Sequence, residues 1–221
     1  MPSTRPKGRP PTPHSNPSKR ETPCLNDARS GRIVLAAHCL LNQNAKVAGL
    51  AAHPGVFAPL VPLWAKSGAG IIQLPCPECV HLGPARPVGS DTVEQYDTPA
   101  YRAACARLAR RVAAETLAYR DAGYAVLGVL GVEGSPSCSV SRAPRLGPDG
   151  RARLVAGRGL FVAALMRRFK AAGLDIPFLG IPESAAAGDF RSALDELRNL
   201  LELEGIRGRP RLRKGSKRGG R

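Results

Sequence analysis

Apolar residues fall along the chain in two alternating rhythms. Short, nearly unbroken apolar runs, 33-IVLAAHC-39, 70-GIIQLP-75, 124-YAVLGVLGV-132 and 177-PFLGI-181, read as strands covered on both faces. Longer stretches between them carry a helical period. The best is 99–123, where Thr98 or Asp97 caps, Pro99 occupies the first turn and Gly123 stops the helix. Its apolar face includes Ala104, Leu108, Val112 and Leu117. A helix over 55–68 is shortened or broken by Pro59 and Pro62. Further helices are expected over 158–173, stopped by Gly173, and over 187–205, capped by Asp189. Strands alternating with helices predict an α/β fold: a compact single domain of three layers, with a mostly parallel sheet of four or five strands flanked by helices.

Polarity sets the limits of that domain. The apolar rhythm is confined to 33–204, and the flanks 1–32 and 205–221 are basic and rich in Pro or Gly. The chain of 221 residues has a net charge of +16, of which 1–32 carry +5 and 205–221 carry +8, leaving +3 for the middle. Basicity is therefore a property of the tails. Such tails cannot bury a core and are expected to be disordered, with weak, non-specific electrostatic contact to nucleic acid. No aromatic residue lies within 205–221, so base stacking has no support there. No run of 18 apolar residues exists, so no membrane partner is expected, and a reducing cytoplasm is the expected setting.

Against that frame the six cysteines are unevenly placed. Cys39 ends the first strand, Cys76 follows the second, and Cys138 follows the third in 133-EGSPSCSVS-141. In a parallel sheet the carboxyl ends of the strands share one edge, where α/β proteins keep their sites. Three thiols delivered there suggest a soft metal or an iron–sulfur cluster. Zinc would need a fourth ligand, which His38 or His81 could supply. Glu78, two residues from Cys76, is placed to move protons beside such a centre. Cys24 lies in the tail, Cys105 on the long helix as a core residue, and Cys79 completes Cys-x-x-Cys with Cys76.

Four runs, 38-HCLLNQNAK-46, 73-QLPCPE-78, 94-EQYDTPAYR-102 and 131-GVEGSPSC-138, occur in the order and spacing of a known family. The chain resembles the TudS-type 2-thiouracil desulfurase superfamily, and within it the TudS-related desulfidase branch, over about residues 33–185. The resemblance implies a 4Fe-4S cluster on Cys39, Cys76 and Cys138. It also implies hydrolytic, non-redox removal of sulfur from a small thiocarbonyl substrate, with Glu78 as catalytic carboxylate and Ser135 as essential serine. His38, Asn42, Ser137 and Glu133 are the expected substrate contacts, and Glu183 lines the pocket or caps the last helix. Two departures from the family pattern stand beside the site. Ser139 replaces a glycine after the third cysteine, where serine tolerates positive φ less well, and 37-AHCLLN-42 replaces an S-A-C-L-L-G type opening.

Two other classes compete with an enzyme of this kind. One is a thiol–disulfide oxidoreductase using Cys76 and Cys79, which needs the pair to open a helix; none is expected over 80–89. The other is a metal- or cluster-binding scaffold whose tails contact nucleic acid.

Overall fold

A computed structural model describes residues 27–207 of the protein. The expectations for the outer tails, including nucleic-acid contact and Cys24, lie outside the described residues. In chain order the elements are β1 (Arg32–Ala36), α1 (His38–Leu41), α2 (Val61–Ser67), β2 (Gly70–Gln73), α3 (Pro77–Leu82), α4 (Val93–Tyr96) and α5 (Pro99–Asp121). Then come β3 (Ala125–Val132), β4 (Arg142–Leu146), β5 (Ala152–Ala156), α6 (Leu160–Ala171), β6 (Phe178–Ile181) and α7 (Phe190–Arg207). The last helix therefore runs into the stretch read as tail.

Four strands form one parallel sheet in the order β2-β1-β3-β6. The two central strands are the most apolar: Val34, Leu35 and Ala36 of β1 and Leu127, Val129 and Leu130 of β3 are buried. Helices α5 and α6 pack together on one side of the sheet, and α7 with α2 on the other. Helix α5 buries Tyr101, Cys105, Leu108 and Val112, a spacing that keeps one face inward. Thr98, not Asp97, caps it, its hydroxyl accepting the Tyr101 N–H at 3.2 Å. Asp97 instead pairs with Arg102. Gly123 at φ 83° ends the helix, and Asp189 caps the last helix through the N–H groups of Arg191 and Ser192.

Three local features differ from the sequence reading. The first strand stops at Ala36, and His38 and Cys39 sit in a helical turn beyond it. Residues 142–156 form an antiparallel hairpin, β4–β5, outside the main sheet. The Cys-x-x-Cys pair does open a helix: Cys76 is the N-cap of α3, with Pro77 in its first turn. That removes the ground on which the oxidoreductase was set aside.

Candidate active site

Because all four strands are parallel, their carboxyl ends meet at one edge, and a cavity of about 460 Å³ opens there. Its volume falls within the usual range of small-molecule sites. Cys39 from the turn after β1, Cys76 from the start of α3 and Cys138 from the loop after β3 all line it. Glu78, Ser135, His38, Glu133 and Glu183 line it too. Asn42 and Ser137 are not in the lining.

The loop that carries Cys138 is held from both sides. The Ser135 hydroxyl oxygen accepts the N–H of Ser137 at 3.3 Å and of Cys138 at 3.0 Å. The Pro136 and Ser137 carbonyls accept N–H groups from Leu160, Phe161 and Val162, closing the first turn of α6, which has no side-chain cap. Two glycines permit this. A Cβ on Gly131 would lie 2.4 Å from the Cys138 carbonyl oxygen, and one on Gly159 would lie 2.3 Å from the Ser137 carbonyl carbon. Ser139 adopts no positive φ, contrary to the strain expected there. It is buried, and its hydroxyl donates to the Ser135 carbonyl at 2.7 Å.

Glu78 is anchored at both of its oxygens. Its Oε2 accepts from Arg86 Nη2 at 2.7 Å, and its Oε1 accepts from the Ser137 hydroxyl at 2.7 Å. Since Ser137 gives its proton to Glu78, the Tyr101 hydroxyl, 2.6 Å away, donates to Ser137. Burial pushes the Glu78 carboxyl above the usual carboxylate range, against the pull of Ser137 and Arg86. Ser137 thus holds the carboxylate from behind instead of meeting a ligand. Arg86, which nothing in the sequence pattern marks, also donates to the Ala45 carbonyl at 2.8 Å and to Cys79 Sγ at 3.4 Å.

The remaining expected contacts divide. Asn42 caps the short helical turn that follows it, accepting from the N–H and side-chain amide of Asn44 at 3.2 and 3.0 Å. Glu133 borders the cavity, but the start of the hairpin takes both its oxygens. Oε1 accepts from the Ser141 N–H and hydroxyl, and Oε2 from the Arg142 N–H at 2.8 Å. Glu183 lines the cavity and caps nothing; it accepts from Gln43 at 2.6 Å and pairs with Lys46. His38 lines the cavity, and burial lowers its basicity. His81 is exposed outside the lining, edge-on to Tyr101.

Burial governs the three thiols. It pushes Cys39 up to about 12 and raises Cys76 and Cys138 well above the ordinary thiol value, with neighbouring carboxylates and thiols adding to it. A redox nucleophile needs a stabilised thiolate, so this environment does not favour a Cys76/Cys79 oxidoreductase despite the helix that the pair opens. A metal cation would reverse the balance, because binding expels the proton. Among the described residues no three His, Cys, Asp or Glu side chains gather around one point as the ligands of a single ion do. A cluster of several irons takes each thiol at a different iron, and three thiols distributed around a cavity fit that donor set.

Among the described residues no helix is long and apolar enough to cross a membrane. No protein-family model matches the chain. An uncharacterized protein of Methanocaldococcus jannaschii, MJ0003, is 38% identical over 109 residues, which cover 49% of this chain and 68% of that protein. A solved structure of the 4Fe-4S-dependent thiouracil desulfidase TudS aligns with a TM-score of 0.47 and 24% identity, over 79% of this chain and 99% of that one.

Proposed function

The chain belongs to one family with the uncharacterized Methanocaldococcus jannaschii protein MJ0003, and we propose that it is an iron–sulfur-dependent desulfidase that hydrolyses the C=S bond of a small thiocarbonyl compound. The observation that carries this reading is the convergence of Cys39, Cys76 and Cys138, from three separate strand ends, on one cavity that also holds Glu78 and Ser135. The four sequence motifs that resemble the TudS-type superfamily supply the same residues. Cys39, Cys76 and Cys138 would hold a 4Fe-4S cluster, which when bound supplies a Lewis-acidic iron with affinity for sulfur.

The protein's own groups then have distinct tasks. Water replaces sulfur at carbon, so a thiocarbonyl and water give a carbonyl and hydrogen sulfide with no change in electron count. Glu78 takes a proton from water at a carboxylate that Arg86 and Ser137 keep in one orientation. Ser135 spends its acceptor positions on two backbone N–H groups, so its own proton remains to donate to the substrate. The Lys46–Glu183 pair ties the 43–52 segment over the cavity and limits the entry of bulk water.

Iron and acid-labile sulfide per chain, measured after anaerobic purification, test the reading. About four irons are expected in the wild type, with loss of iron in Cys39→Ala, Cys76→Ala and Cys138→Ala. Glu78→Gln should keep its iron and lose sulfide release by roughly 10²- to 10⁴-fold. A single zinc indifferent to the cysteine substitutions would overturn the proposal and favour a scaffold.

A further inference from the structure

The desulfidase chemistry gives Cys79 no task. It is half-buried on α3 and stands outside the cavity lining. Its sulfur has two contacts: Arg86 Nη1 donates to it at 3.4 Å, and the thiol donates to the Ala45 carbonyl at 3.4 Å. Cys76 is the N-cap of the same helix and does line the cavity. Its Sγ accepts the Cys79 N–H at 3.5 Å. Cys76 thus borders the cavity on one side and Cys79 on the other. Residues three apart at a helix start have Cα atoms about 5 Å apart, inside the span of roughly 4.4–6.8 Å that a disulfide accepts. Closing such a bridge would remove only the weak sulfur contacts of Cys79. Arg86 holds the Ala45 carbonyl at 2.8 Å and Glu78 at 2.7 Å through its own N–H groups.

We propose that Cys76 and Cys79 form a reversible disulfide once iron has been lost, so that Cys79 guards a metal-ligating cysteine against irreversible oxidation. This goes beyond the desulfidase reading and takes from it only the assignment of Cys76 as an iron ligand. A thiolate bound to iron is not free to bridge, so the two partners of Cys76 exclude each other. The oxidant is hydrogen peroxide. The Cys79 sulfur, with the cationic Arg86 beside it, attacks the O–O bond and becomes a sulfenic acid as one water leaves. The Cys76 sulfur then attacks the sulfenic sulfur, the S–S bond forms and a second water leaves. Two thiols and one peroxide give one disulfide and two waters, and two electrons pass from sulfur to oxygen. A dithiol reductant reverses the step by returning two electrons and two protons. An oxidoreductase must exchange its bridge at every turnover, which buried thiols disfavour; a bridge that closes once per loss of iron needs no such speed. Without Cys79, a sulfenic acid on Cys76 goes on to sulfinic acid, which dithiols do not reverse.

The test uses the full chain, purified anaerobically with its iron and treated with hydrogen peroxide until the iron is released. Free thiols are alkylated and the chain is cut with trypsin. Peptide 67–102 holds Cys76 and Cys79 and no other cysteine, because Lys66 and Arg102 bound it and Pro87 blocks cleavage after Arg86. It should be unalkylated and two hydrogens lighter than the dithiol, and the same peptide from untreated, iron-loaded protein should carry no bridge. Dithiothreitol followed by iron and sulfide should restore about four irons to the wild type. Cys79→Ser keeps a donor for the Ala45 carbonyl and should load iron normally before peroxide. It should recover little iron afterwards, with Cys76 found as sulfinic acid. Two alkyl groups or two sulfinic acids on peptide 67–102 after iron loss would overturn the inference. So would a bridge from Cys76 to Cys39 or Cys138, or full recovery of iron by Cys79→Ser. If the chain purifies without iron, the desulfidase reading falls, and the mass of peptide 67–102 after peroxide still decides whether the pair closes.

Discussion

Two ion pairs border the cavity and do different work. The Arg86–Glu78 pair is nearly sealed, with side chains 3% and 9% exposed, and every oxygen of Glu78 has a donor. The Lys46–Glu183 pair is wetter on its cationic side, at 17% and 7%, and links two loops. The first fixes one carboxylate beside Cys76 in a single orientation. The second closes the 43–52 segment onto the loop after β6. A charge held in a dry pocket depends heavily on its partner, whereas a pair at a rim is weakened by water and by the entropy of its long side chains.

The sharpest way to break this comparison is Arg86→Met. It strands a buried carboxylate, and a loss of about 3–5 kcal/mol in urea unfolding is expected, largely recovered when Glu78→Gln is added. Next in size is Ser137→Ala, which leaves Glu78 Oε1 and the Tyr101 hydroxyl each one partner short; about 1–3 kcal/mol should be lost, with sulfide release falling as Glu78 loosens. Lys46→Met should cost only about 1 kcal/mol, with its main effect a higher KM as the covering segment frees. Equal losses from Lys46→Met and Arg86→Met would show that the two pairs are not different in kind. The smallest effect expected is from Asn42→Ala, about 0.5 kcal/mol by thermal melting with unchanged substrate affinity, because Asn42 caps a turn outside the cavity.

Much of this was legible in the order of residues, and the failures have identifiable causes. The four sheet strands and the long helices emerge because each buries a sustained apolar run. The hairpin does not: 142-RAPRL-146 and 152-ARLVA-156 are interrupted by arginine and proline and the second lies largely exposed, so the main local signal is the turn 147-GPDG-150. Helix α3 is six residues long, too short for a period to register. The cysteines and Glu78 could be placed at one cavity because strand ends converge by topology, whereas Ser135 was marked by the family resemblance. Arg86 was not, since 83-GPARPVGSDT-92 has no rhythm and the guanidinium meets Glu78 only when the loop folds back. Ser137 and Glu133 were placed at the correct edge and given the wrong duty. Which way a side chain turns at a strand end depends on donors supplied from distant parts of the chain, here Tyr101 and the hairpin.

The hairpin offers a handle for instrumentation. Its tip closes on itself, through the Gly147 N–H to the Arg151 carbonyl at 2.8 Å and the Gly150 N–H to the Gly147 carbonyl at 2.9 Å. Its base is clamped by Glu133, and Leu154 on its second strand reaches the cavity wall. A small fluorophore attached at Pro148 or Asp149 would ride on solvent-facing residues while its supporting strand touches the chamber. Occupancy could then be followed optically in an anaerobic cuvette, without turnover.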